Sequence, residues 1–192
     1  MTPALYKQKL LDDLHQHYSA TPNALLKFPG STTIVFGEGS ADARLMFIGE
    51  GPGQEEDRQG RPFVGRSGQL LNKLLEIAGL SRQDVYITNI VKTRPPENRK
   101  PLPNEITFSM PLLMKQIEII KPRLICTLGS SALQGLTGES VSITKIRGKI
   151  TTINGLNIMP TYHPAYILRN PKELKALADD ILRASKYTNI DQ

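Results

Sequence analysis

The 192-residue chain holds little of what builds covalent or metal-held frameworks. Its single cysteine, Cys126, excludes an intrachain disulfide and any site that needs several thiolates. Of its three histidines, His15 and His17 lie near the N-terminus, far from His163, and no cysteine stands near His163, so zinc-ligand spacing is missing. No apolar run approaches the ~20 residues that a bilayer span requires. The first twenty residues mix charges among their apolar positions, unlike a signal peptide. Neither secretion nor membrane association is expected, and the expected location is the cytoplasm, near the nucleoid if the source is bacterial. Repeats, low-complexity tracts and long linkers are also lacking, which leaves one domain over residues 1–192. It reads as an N-terminal helical extension, 1–34, and a core, 35–187.

What is abundant is positive charge, and it is placed unevenly. The net charge is +6 and the pI about 9.5. Residues 1–85 hold nine basic and ten acidic side chains, whereas residues 86–192 hold fifteen and eight. A one-sided basic excess is the footprint of a polyanion binder, although a solvated basic surface gives the same count.

Four short apolar runs, Leu45–Gly49, Val85–Val91, Leu124–Leu128 and Leu156–Thr161, read as strands of a parallel sheet covered on both faces. Helical periodicity separates them over Ser67–Ala78, Ile106–Ile120 (with Pro111 placed to begin a new turn), Ser130–Leu136 and Lys172–Ser185. Strand and helix alternate, so the expected class is α/β, a three-layer α/β/α arrangement around a central four-stranded parallel sheet. Such sheets bind ligands beyond the carboxyl ends of their strands. The chemistry is therefore expected just after Gly49, after Thr88 and after Thr161.

Each of those places carries a distinctive segment. Gly49-Glu50-Gly51-Pro52-Gly53 lets backbone N–H groups approach a ligand, but it lacks both the Lys-Ser/Thr ending of a P-loop and dinucleotide-binding glycine spacing. Asn89 ends the second strand, where a carboxamide that donates and accepts can read a nucleobase edge or simply close a turn. The stiff segment Lys92–Pro101 presents Lys92, Arg94, Arg99 and Lys100 between prolines. His163 follows the last strand, where a structural role is the plain alternative to a chemical one. Nucleophilic catalysis has little support: Cys126 lies within an apolar strand, and no G-x-S-x-G turn is present.

Three stretches in this order, GEGPGQEEDRQGRPFVGRSGQLL (49–71), YITNIVKTRPPENRKP (86–101) and PTYHPAYILRNP (160–171), resemble the uracil-DNA glycosylase superfamily. The likeness is greatest to its family 4, whose members ordinarily carry an iron-sulfur cluster, and it runs from about Val35 to Leu182. The resemblance implies that Phe63 stacks on a uracil flipped out of DNA and that Asn89 hydrogen-bonds its pyrimidine edge. Glu56 would crowd the place of thymine's methyl group, and His163 would donate to uracil O2. Glu50 and the Gly51 backbone would line the water and sugar side. Ile167 or Leu168 would enter the duplex, with Arg169, Tyr166, Arg147 and the Lys92, Arg94, Arg99, Lys100 loop on DNA. Physical logic runs the same way, since a base inside a stacked duplex is out of reach until it is extruded.

One departure is plain. The four cluster cysteines of the resembled family align with Pro22, Leu25, Thr93 and Ser109, so neither an iron-sulfur cluster nor another metal is expected. Leu25, Leu26 and Phe28 are expected to fasten the N-terminal segment by packing instead. No histidine lies between Lys92 and Glu105, unlike the branch that traps its product covalently. The signatures also offer no lysine nucleophile, which points to monofunctional hydrolysis. The implied activity is removal of uracil from DNA to start base excision repair, with free uracil as product; a monomer is expected because the sequence shows no leftover amphipathic surface. The rival readings are a non-catalytic DNA-binding accessory on the same fold and a small-molecule nucleotide enzyme.

Overall fold

The computed structural model describes residues 2–20 and 31–189. In chain order its elements are α1 (Pro3–Ala20), β1 (Glu38–Gly39), β2 (Leu45–Gly49), α2 (Gln54–Gln59), α3 (Arg66–Ile77), β3 (Tyr86–Asn89), α4 (Pro103–Ile120) and β4 (Leu124–Leu128). There follow α5 (Ser130–Thr137), α6 (Ile143–Ile146), β5 (Thr151–Ile153), β6 (Leu156–Thr161), α7 (Pro164–Arg169) and α8 (Leu174–Asn189). Among these residues no helix is long and apolar enough to cross a membrane.

The four expected strands form the parallel centre of the sheet in the order β3-β2-β4-β6, so the α/β class holds. The sheet itself is mixed and six-stranded, because β1 and β5 add antiparallel edges to β3 and β6. Both edges are two or three residues long and lack a fully buried face, which is why no apolar run betrays them. Helix α4 starts three residues before the expected Ile106 and runs on through Pro111, which is exposed.

Period-2 alternation divides the core. Met46, Ile48, Tyr86, Ile125 and Ile158 point to one face, where they meet Leu11 of α1 and Leu112, Leu113 and Ile117 of α4. Leu45, Phe47, Ile87, Leu124, Cys126 and Met159 point to the other, against Leu71, Leu74 and Leu75 of α3 and Leu177 and Ile181 of α8. Each such leucine or isoleucine, fully buried, contributes about 1.5–3 kcal/mol. Cys126 is wholly buried and its thiol is pushed well above its ordinary range, so it is inert filling.

The extension is anchored by charge as well as packing. Lys7 donates to Asp42 at 2.6 Å and to the Ile120 carbonyl at 2.9 Å, and His15 stacks on Phe36 at 4.4 Å. At residues 31–33, the buried Asp57 carboxylate accepts from the backbone N–H groups of Thr32 and Thr33 and from the Ser31 and Thr32 hydroxyls. The expected packing of Leu25, Leu26 and Phe28 lies outside the described residues, as do Pro22 and Leu25 among the cluster-aligned positions.

Candidate uracil pocket at the strand tips

The carboxyl ends of all four central strands open into one cavity of about 740 Å³. Glu50 and Gly51 follow β2, Asn89 ends β3, Gly129, Ser130 and Ser131 follow β4, and Tyr162 and His163 follow β6. Phe63 and Glu56 complete its inner wall. The expected trio of Phe63, Asn89 and His163 thus shares a single enclosure. The β4 tip joins the three expected strand ends, and the strand-end rule applies to it equally.

At the floor, Gly49 lets two side chains converge. A Cβ there would lie 2.4 Å from Asn89 Oδ1 and 2.6 Å from Phe63 Cζ, so any larger residue would displace both. Asn89 is 1% exposed, and among the described residues neither its Nδ2 nor its Oδ1 has a hydrogen-bond partner. A buried amide with both functions unmet costs a few kcal/mol, a cost that a matching ligand removes.

The phenyl ring of Phe63 stands 5.6 Å from the His163 ring, tilted by 33°. Its backbone is left-handed, with φ 51°, a conformation that costs a residue with a Cβ about 1–2 kcal/mol. The turn around it is pinned on one side by Glu56, whose carboxylate accepts from the N–H groups of Gly53 (3.2 Å), Val64 (2.9 Å) and Gly65 (2.8 Å). Glu56 is itself buried, so its position on the wall is fixed by the backbone it caps.

His163 is the N-cap of α7, and its Nδ1 accepts from the Ala165 N–H at 3.0 Å. The proton of the neutral ring is therefore on Nε2, which is left to donate. Burial, aided by the nearby Arg169 charge and opposed by Glu56, lowers its pKa from 6.5 to about 4, so the ring is neutral at pH 7.

Several residues expected on DNA are elsewhere. Lys92 is not a surface cation: it is 1% exposed, and its Nζ donates to Thr88 Oγ1 (2.6 Å), the Asn89 carbonyl (2.8 Å) and Gln116 Oε1 (2.7 Å). Burial drives its pKa well below the usual lysine range. Ile167 is 3% exposed within the core cluster against α3 and α8, whereas the adjacent Leu168 is 40% exposed. Arg147 does not line the cavity. It is bound to Asp180 at 2.8 Å and to the Ala176 carbonyl, and it lies over the Tyr162 ring. Arg99 reaches the rim but forms a bidentate pair with Glu105, at 2.6 and 2.9 Å, which in turn caps α4 through the Leu102 N–H. Arg94, hydrogen-bonded to Asn98, and the exposed Lys100 and Arg169 remain presentable, and Tyr166 lines the rim beside Tyr162 at 5.0 Å between ring centroids.

Of the cluster-aligned positions, the two described ones, Thr93 and Ser109, are buried hydroxyl residues, and the other two are Pro22 and Leu25. This donor set does not fit a thiolate-bound iron-sulfur cluster. Among the described residues no group of three or more His, Cys, Asp or Glu side chains gathers to hold a metal ion.

Comparison with known proteins agrees with this geometry. The sequence model of the Uracil DNA glycosylase superfamily matches residues 36–184. The chain is 50% identical over 160 residues to a type-4 uracil-DNA glycosylase of Thermotoga maritima, covering 81% of this chain and 83% of that protein. It is 48% identical over 161 residues to a type-4 uracil-DNA glycosylase of Saccharolobus solfataricus, covering 79% and 74%. Similarity to a type-5 uracil-DNA glycosylase of Pyrobaculum aerophilum is lower, 32% over 167 residues, covering 77% and 73%. With a matching family model over most of its length and the strand-tip cavity intact, the chain belongs to the uracil DNA glycosylase superfamily.

Proposed function

We propose that the cavity receives one deoxyuridine extruded from DNA and hydrolyses its N-glycosidic bond, leaving an abasic site and free uracil. The observation that carries this reading is the orphaned, buried Asn89 carboxamide beside an aromatic ring and a neutral imidazole. Uracil offers an N–H and a carbonyl on adjacent positions, and the amide can accept from one while donating to the other. Phe63 supplies the stacking face, and Glu56, held by three backbone N–H groups, stands against a 5-methyl group.

The chemistry follows from charge. As the C1′–N1 bond breaks, its electron pair leaves with the base, and negative charge spreads onto uracil O2. The Nε2–H of His163, fixed by the Nδ1 bond to Ala165, donates to that oxygen and favours charge that appears only in the transition state. Water adds to C1′ from the Glu50 and Gly51 side, and its lost proton balances the one taken up by the uracil anion. Neither a metal, a redox group nor a lysine nucleophile enters the scheme, and Lys92 does not line the cavity. Leu168 fills the vacated stack, while Arg94, Lys100 and Arg169 meet phosphates. The unit that acts is a monomer without an iron-sulfur cluster, consistent with the donor set at residues 22, 25, 93 and 109.

Uracil release from single- and double-stranded labelled oligonucleotides in EDTA tests the reading. Release is expected from uracil-containing DNA and not from a thymine control. Binding of either oligonucleotide without release, at high enzyme, would replace it with a non-catalytic accessory on the same fold.

A further inference from the structure

Phe63 cannot hold its place unaided. Its left-handed backbone is unfavourable, so surrounding contacts must over-determine it. Glu56 secures the amides that follow the ring, but the carbonyls of Pro62 and Phe63 are bound elsewhere, by a residue that does not line the cavity. There they meet Arg82, from the turn that joins α3 to β3. Its Nη2 donates to the Pro62 carbonyl at 2.7 Å, and its Nη1 donates to the Phe63 carbonyl and to Asn72 Oδ1, both at 3.1 Å. Its Nε donates to Glu38 Oε1 at 3.1 Å. The side chain is 16% exposed and does not line the cavity. Glu38 lies on β1 and also takes a bidentate pair from Arg61, at 2.7 and 2.8 Å, which holds its carboxyl at about 2 and therefore ionised. Gly68 completes the clamp, because a Cβ there would lie 1.9 Å from the Phe63 carbonyl oxygen.

We infer that Arg82, oriented by Glu38, is a positioning residue that holds the Phe63 ring as the stacking face of the pocket. The inference deepens the glycosylase reading and rests on it for the ring's role. Four of the five guanidinium N–H groups are used in one plane, an arrangement that a lysine ammonium cannot reproduce.

A double-mutant cycle tests it. Arg82→Gln and Arg82→Lys are each expected to lower kcat/KM for uracil release by about ten- to hundredfold. In a Phe63→Leu background, which has no ring to position, the same changes are expected to alter it by less than about twofold. Equal losses in both backgrounds would overturn the inference and assign Arg82 to general stability or to DNA. A second readout is independent of activity. The chain has no tryptophan, so Phe63→Trp places a sole reporter at the platform. Adding Arg82→Lys should shift its emission to the red and increase quenching by acrylamide, whereas unchanged emission would overturn the inference. If the wild-type protein releases no uracil, the glycosylase reading fails while the emission still decides whether Arg82 holds the residue.

Discussion

Asn89 and Lys92 stand three residues apart, both are 1% exposed, and both are polar, yet their surroundings are opposite. Lys92 has its ammonium nitrogen within hydrogen-bond distance of three oxygens, and the network continues as Gln116 donates to the Phe36 carbonyl and Thr88 donates to the same oxygen. Asn89 leaves both ends of its amide unmet, facing a cavity. The difference separates two uses of a buried polar group: a closed network fixes the end of β3, and an open amide at that fixed end waits for a ligand. Residue type alone does not distinguish them, and the completeness of hydrogen bonding does.

The comparison breaks most visibly in catalysis. Asn89→Ala and His163→Ala are each expected to lower kcat for uracil release several hundredfold, about 3–4 kcal/mol, with binding to abasic-site DNA retained. Asn89→Ala should not lower the urea midpoint appreciably, because it removes an amide that no described residue satisfies. A large loss of stability would mean that Asn89 serves the fold as Lys92 does.

The next effect is on pH dependence. The folded-state pKa of His163 lies near 4, below its unfolded value near 6.5, so the unfolded chain binds the proton first. The stability this contributes is complete above pH 6.5 and is lost as the pH falls toward 4, up to about 3 kcal/mol. Urea unfolding at pH 7 and pH 4.5 should show a smaller acid loss in His163→Gln than in the wild-type protein. Equal losses would remove the half-buried neutral imidazole from the account.

Lys92→Met supplies the converse of Asn89→Ala. It strands the oxygens of Thr88, Asn89 and Gln116, and a loss of about 2–3 kcal/mol is expected in urea unfolding. The salt dependence of DNA binding should be unaltered. Arg169→Ala and Lys100→Ala give the smallest effect, each flattening the log-log salt slope on duplex DNA by about 0.9 with little change in stability. A change of slope in Lys92→Met would return that residue to the DNA surface.

Much of this was legible in the sequence for a physical reason. Runs such as Leu45–Gly49 and Leu124–Leu128 are apolar on both faces because helices cover both, and the strand-end rule then located Asn89 and His163. What the sequence conceals is the identity of partners distant along the chain. Lys92 reads as one of four cations in a basic loop, and its burial beside Gln116, 24 positions later on α4, is hidden along the chain. Ile167 and Leu168 are adjacent apolar residues, and the turn of a six-residue helix decides which one faces the core. Arg82 and Asp57 look like surface charges until Pro62, Phe63, Thr32 and Thr33 are brought to them.

The central claim, that the unmet amide of Asn89 reads uracil, is open to direct observation by nuclear magnetic resonance. With side-chain amides labelled with nitrogen-15 and the Asn89 pair assigned by its loss in Asn89→Ala, free uracil is titrated into the protein. The account predicts that the Asn89 amide protons move downfield and become protected from exchange as the cavity fills. If uracil binds and those resonances stay where they were, the amide does not read the base and the account is wrong.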